Sequence, residues 1–241
     1  MNRYLYILAL VTLCIYSISA KAESYTLFTA KLPPYADKVG NQLTGVAIDI
    51  VSQLFKNSGI QFKVEIVPWK RAYNAALSEM YSCVFPAQRS QEREVLFQWV
   101  SPILISHSGF YTKQNSPFKI RTLNDVKKLT IGTYLGSATA LYLTSQGFKA
   151  EQTIRDSQNI HKLDKNRIDV WATDTMVGNY LIESTNMRGR IKKQLEYLTT
   201  LRGLACNKNT PPEVIDKLSK ELKIMYETGA IESIIQKHTS L

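Results

Sequence analysis

The chain has 241 residues, with 30 Lys and Arg against 20 Asp and Glu, a formal net charge of +10. That length can build a large core, as one domain or as two lobes. The basic residues are scattered, Lys127-Lys128 and Lys192-Lys193 being only pairs, so the charge reads as a solvated surface and not as a stripe for nucleic acid.

In chain order, Asn2-Arg3, the apolar run 4–17 and the small-x-small site Ala20-Lys21-Ala22 read as an export signal. Cleavage there leaves Glu23 first, and the chain is expected in the periplasm. An uncleaved N-terminal anchor is the alternative. Cys14 lacks the small preceding residue of a lipid-modified cysteine, and no other apolar run approaches the roughly 20 residues that span a bilayer. Residues 25–29 alternate as a strand. Ile48, Val51, Leu54 and Phe55 follow helical spacing, and Asn57-Ser58-Gly59 stops that helix. Residues 62–67 alternate with period two, 71–80 read as a helix, and Cys83-Val84-Phe85 as a buried strand. This β-α-β-α-β rhythm argues an α/β fold with a mostly parallel sheet.

A second unit begins near Tyr111, after which Gln114-Asn115-Ser116-Pro117 looks like a linker. Thr122 can cap a short helix to Leu129, residues 129–133 form a strand, and 138–146 a helix. Asp156 or Ser157 can cap a helix to Lys165. Residues 168–172 read as a strand, 175–183 as a helix and 197–206 as extended. Thr210-Pro211-Pro212 then opens a helix with Pro at its first position. After the export segment only Cys83 and Cys206 remain. Two cysteines in an exported chain invite a disulfide, and buried free thiols are the alternative.

Several residue types suggest a binding site. Arg93, in Ser90-Gln91-Glu92-Arg93, offers a planar fork that holds a carboxylate through two hydrogen bonds, unless it pairs locally with Glu92 or Glu94. Arg89 ranks below it. Asp174 ends an apolar run and suits an ammonium group, and the same Asp is a good helix N-cap. Gly136-Ser137 starts a helix whose amides and dipole favour an anion, with Ser137 as the cap. Trp69 and Tyr35 each follow a proline at the end of a strand-like run, where α/β clefts form, and are candidate pocket walls; Arg71 and Tyr73 lie nearby. Asp169 is read as structural. His107, His161 and His238 lack metal-ligand spacing, and no nucleophile elbow, phosphate loop or dinucleotide fingerprint occurs. Neither catalytic residue nor cofactor is expected.

These segments, taken together, resemble the periplasmic solute-binding proteins of amino-acid uptake, bacterial extracellular family 3. The resemblance rests on Pro33-Pro34-Tyr35, Gly45-Val46-Ala47-Ile48-Asp49-Ile50, Ser90 to Arg93, Gly136-Ser137, Asn166 to Asp174 and Thr210-Pro211, in that order. It implies a two-lobed type II fold with two hinge crossings, near residues 107–113 and 194–200. Residues 23–110 and 197–241 then form one lobe and 111–196 the other. It also implies that the cysteine runs lie on neighbouring strands of one lobe. Arg93 would grip an α-carboxylate with help from Ser137, and Asp174 would take the ammonium. The expected function is binding of a small amino-acid-like solute by a monomer that serves a membrane ABC permease. A sensor module and a small periplasmic lyase are the alternatives. One departure stands out: the family's small hydroxyl residues before the arginine motif are replaced by Pro86-Ala87-Gln88, and Pro86 has no amide to donate.

Overall fold

The computed structural model describes residues 24–239. The export segment and its cleavage site lie outside them. Leu27, at the centre of strand β1 (Tyr25–Thr29), is fully buried between β4 (Phe62–Ile66) and β5 (Ser82–Gln88), both parallel to it. Helix α1 (Val46–Asn57) lays Val51, Leu54 and Phe55 on this sheet, and α2 (Trp69–Ser78) covers the other face with Ala72 and Ala76. The small residues of α2 let it approach closely. It starts at Trp69, two residues before the expected position, because Pro68 holds the extended N-cap conformation.

All eight strands of the main sheet form one continuous ladder, in the order β4-β1-β5-β10-β6-β9-β7-β8. Two long strands make that possible: β6 (Phe97–Lys113) and β10 (Ile191–Asn207) pair antiparallel from Phe97↔Asn207 to Lys113↔Ile191. Near one end β10 joins β5, and near the other β6 joins β9 (Val170–Asp174), beyond which lie β7 (Ile131–Tyr134) and β8 (Ala150–Thr153). Between these junctions Ser106 and His107 face Thr200 and Thr199, with no third strand in register beside them. These are the two crossings of a two-lobed α/β fold, and they overlap the expected hinge ranges. The sequence did not suggest that β6 runs unbroken through Pro102, nor the hairpin of β2 (Asp37–Val39) and β3 (Gln42–Thr44).

In the second lobe, a 3-10 turn (Leu123–Val126) carries the predicted Thr122 cap, reinforced by Asp125 in a capping box. Asp169 sits just before β9, its carboxylate accepting from the Thr130 amide at 2.8 Å, a structural role. A short α3 (Gln91–Glu94) lies in the first lobe. The second lobe has α4 (Ala138–Ser145), α5 (Ser157–Asp164) and α6 (Thr175–Ser184), and the chain closes with α7 (Pro212–Glu227) and α8 (Ala230–Thr239) against α1. Pro212 is the first residue of α7, as read from sequence. No described helix is long and apolar enough to cross a membrane.

Cys83 and Cys206 face each other on β5 and β10 and form a disulfide that closes 123 residues. The bond ties the returning strand to the first lobe's sheet. In the chain-entropy picture, a loop of this length stabilises by about 4–5 kcal/mol, and strain reduces that figure. Removing it through the Cys83→Ala/Cys206→Ala double variant should lower the melting temperature, on the order of 10 °C. Differential scanning calorimetry checks this, and an unchanged melting temperature would contradict it.

Candidate functional site

The crossing strands leave a cleft between the lobes of about 580 Å³, its open mouth included. Four of the residues read from sequence line it: Trp69 and Arg93 from the first lobe, Ser137 and Asp174 from the second.

Arg89, just before the short helix α3, and Arg93, within it, part company. Arg89 stays at the surface in a bidentate pair with Glu94. Arg93 turns inward and is only 4 % exposed. Its Nη1 donates to the Gln88 carbonyl at 3.2 Å and its Nη2 to the Gly136 carbonyl at 3.1 Å. The guanidinium lies 5.2 Å from the Tyr73 ring centroid and 5.8 Å from that of Trp69, distances at which aromatic faces attract a cation. Burial pulls its pKa below the ordinary arginine value, opposed by Tyr73; arginine remains charged at such a site. No carboxylate pairs with it among the described residues.

Gly136 is one point where the lobes touch. Its carbonyl accepts from Arg93 and also from the Trp69 indole N–H at 3.2 Å. The residue has φ +72, a left-handed conformation that suits glycine and places its carbonyl ahead of α4. Ser137 then caps α4, its Oγ accepting from the Ala140 amide at 3.1 Å. Trp69 therefore serves as a cleft wall and as a contact between lobes.

Asp174 is the N-cap of α6 and 6 % exposed, its Oδ1 accepting from the Met176 and Val177 amides at 2.9 and 3.2 Å. The same carboxylate accepts from the Tyr35 hydroxyl at 3.0 and 3.1 Å and from Nη2 of Arg202 at 3.0 Å. Tyr35 is thus one layer behind the cleft, 1 % exposed, and not on its wall. It is set there by the start of α1: the Ala47 amide donates to the Tyr35 carbonyl at 3.0 Å, and a Cβ on Gly45 would come within 2.4 Å of that oxygen.

Sequence reasoning missed Arg202, although a guanidinium inside the apolar run Leu201 to Cys206 was a signal. It is 5 % exposed, Nη1 donates to the Pro86 carbonyl at 3.2 Å, and its Cζ lies 4.5 Å from the Tyr35 ring centroid. Burial works against its charge, yet Tyr35 and Asp174 hold its pKa above the ordinary value. The segment that departs from the family pattern is put to use here. Pro86 and Gln88 offer their carbonyls to Arg202 and Arg93, a role for which proline's missing amide is no handicap.

Asp156 is the other residue missed. It stands at the N-cap of α5, as read from sequence, but its side chain makes no cap hydrogen bond. The carboxylate turns to the cleft wall and accepts from the Trp171 indole at 2.9 Å, the Asn159 amide at 3.1 Å and the Thr173 hydroxyl. Burial raises its pKa, against those three hydrogen bonds. Among the described residues, no group of three or more His, Cys, Asp or Glu could hold a metal ion.

The chain can now be set beside known proteins. It is 25 % identical to the L-cystine-binding protein TcyA of Bacillus subtilis (strain 168) over 209 residues, 84 % of this chain and 75 % of that protein. With the arginine-binding extracellular protein ArtP of the same strain it shares 23 % over 227 residues, 92 % of this chain and 88 % of that protein. Among solved structures, a histidine kinase sensor domain with similarity to periplasmic binding proteins superposes with a TM-score of 0.83 at 17 % identity, covering 90 % of this chain and 96 % of that one. An ancestral arginine-binding protein bound to arginine gives 0.79 at 22 %, covering 90 % and 98 %. The sequence profile of one family matches residues 27–240, nearly the whole described chain. The chain belongs to the bacterial extracellular solute-binding proteins, family 3.

Proposed function

We propose that this protein captures a small amino-acid-like solute between its lobes in the periplasm and presents it, as a monomer, to a membrane ABC permease. The observation that carries the reading is Arg93: a desolvated guanidinium in the cleft, flanked by two aromatic rings, with no ion pair to a carboxylate among the described residues. A solute carboxylate would meet its free N–H groups. Ser137 and the start of α4 supply further polar contacts to that carboxylate. The acidic side of the cleft, Asp174 with Asp156, faces an ammonium group, and Trp69 packs against the solute body. Tyr35 supports Asp174 from behind. The relatives named for L-cystine and arginine support an amino-acid-like solute without fixing which. The lobes are taken as 23–110 with 197–241, and 111–196. Closing about Ser106-His107 and Thr199-Thr200 would bury the solute, and binding favours the closed form only through contacts better made there.

A second reading, a ligand-binding module that serves a sensor, is favoured by the likeness to the histidine kinase sensor domain. Deleting genes of candidate permeases and of candidate sensor partners, then following solute uptake and transcription separately, discriminates the two.

Protein recovered from the periplasm should have an intact mass that begins at Glu23; a mass that retains residues 1–22 would refute cleavage at Ala22. A thermal-shift screen of amino acids, polyamines and small organic acids should give a stabilising hit that carries a carboxylate. By calorimetric titration, Arg93→Ala should weaken that hit by about 30-fold to several-thousand-fold, the usual cost of unpairing a desolvated charge. Arg93→Lys should not restore it, since Lys is a point charge and not a fork. Wild-type affinity in Arg93→Ala would place the site elsewhere.

A further inference from the structure

Four side chains that carry charge at neutral pH line the cleft: Arg93, Arg202, Asp156 and Asp174. Two of them already satisfy each other. Asp174 and Arg202 form an ion pair at 3.0 Å with both side chains 6 % exposed. A carboxylate offers about four lone-pair sites. Asp174 fills them with four donors: two backbone amides, the Tyr35 hydroxyl and Arg202. It has a counter-charge and no site left over.

Asp156 differs on both counts. Its three donors, Trp171, Asn159 and Thr173, are all neutral, which leaves one lone-pair site. Among the described residues no Lys, Arg or His makes an ion pair with it, although the residue is 7 % exposed. A buried carboxylate without a cation is costly and is not kept for stability. Once Arg202 and Asp174 are set against each other, one unpaired cation and one unpaired anion remain in the same cleft. They are Arg93 and Asp156, on opposite lobes.

We infer that Asp156, and not Asp174, is the counter-ion for the ammonium group of a solute whose carboxylate lies on Arg93. This rests on the amino-acid reading above and deepens it. Asp174 then becomes a fixed part of the wall, and Arg202 the residue that has taken the place of the solute's cation there. A zwitterionic solute would leave every charge in the cleft paired, whereas an acid without an ammonium group would leave Asp156 uncompensated. Burial, with the nearby Asp174 charge adding to it, raises the Asp156 pKa, so the charged form gains most from a cation brought beside it. The ammonium can be the α-amino group or one at the far end of the side chain, and the two are separated by the choice of probe.

The test compares wild type with Asp156→Asn, which keeps an oxygen to accept from Trp171 and Asn159 and a polar group beside Thr173. L-arginine, L-lysine, L-glutamine and L-cystine are titrated into each protein, together with the α-hydroxy acid that corresponds to each. Asp156→Asn should weaken the bound amino acid by about 30-fold or more. An α-hydroxy analogue that binds the two proteins alike identifies the α-ammonium as the partner. If the hydroxy analogue of lysine or arginine also loses affinity in the variant, the distal cation is the partner. Unliganded Asp156→Asn should melt at or above the wild-type temperature, since it removes an uncompensated charge. If wild type binds one of the amino acids and Asp156→Asn binds it equally well, this inference is overturned and the amino-acid reading stands. An equal loss for glutamine and its hydroxy analogue, with a lowered melting temperature, would make Asp156 a structural residue and also overturn it. If wild type binds none of the four amino acids, the amino-acid reading fails and takes the inference with it.

Discussion

A carboxylate removed from water has to be compensated, and the arrangement around Asp174 follows from that requirement. Its charge is met by Arg202 from the returning strand, by the Tyr35 hydroxyl from the first lobe and by two amides of α6. One buried group therefore joins the end of β9, the middle of β10 and the turn ahead of α1. An isolated buried pair often stabilises less than apolar residues of the same volume, but breaking one leaves a charge stranded at a cost of about 3–5 kcal/mol. The pair is thus better understood as fixing geometry than as a source of net stability. It sets the distance between the lobes at the floor of the cleft, and in doing so it determines which cleft charges remain open to a solute.

The backbone provides the complement to this fixed point. Two 17-residue strands carry the whole connection between the lobes. Their outer portions are anchored in three-strand or wider sheet, and the first-lobe portion is also anchored by the disulfide at Cys206. Only the stretch around Ser106-His107 and Thr199-Thr200 lacks a third strand. There the hydroxyls of Ser106 and Thr200 meet at 2.9 Å, and Gln88 donates to Thr200 at 3.0 Å. Side-chain hydrogen bonds thus stand where further strands would otherwise lie, and such bonds rearrange more readily than a ladder.

How much of this was legible in the sequence depended on whether a residue's role was local. Ser137 and Trp69 were legible because each belongs to a short segment with its own logic, a glycine ahead of a helix and a proline after a strand, whereas Arg93 stood out through the family's Ser-x-x-Arg motif; the structure places all three on the cleft wall. For Asp174 the local N-cap pattern was legible and holds, while its role toward a solute was read from the family resemblance. Its engagement by Arg202 was not legible, because the two meet only through sheet order, 28 residues apart in sequence. Asp156 was read as a cap from its position. Its side chain instead answers Trp171 and Thr173 on the neighbouring strand, which is tertiary information. The length of β6 was hidden by Pro102, an apparent strand breaker whose position in the ladder no local pattern reveals. The order of helices and strands, by contrast, followed from periodicity and turn residues over nearly the whole chain.

The double acceptance at Gly136 has a bearing on rate. Arg93 and Trp69, both on the first lobe, donate to one carbonyl of the opposite lobe. If the cleft must open for a solute to enter, these two bonds have to part first, and capture would be gated by a motion that the solute concentration cannot hasten. At high solute concentration the observed binding rate should level off at the opening rate, while at low concentration the apparent affinity is reduced by the fraction of molecules that are open. Gly136 would thereby act on timing, making capture slower than the chemistry of the cleft alone would set while leaving the preference among solutes unchanged.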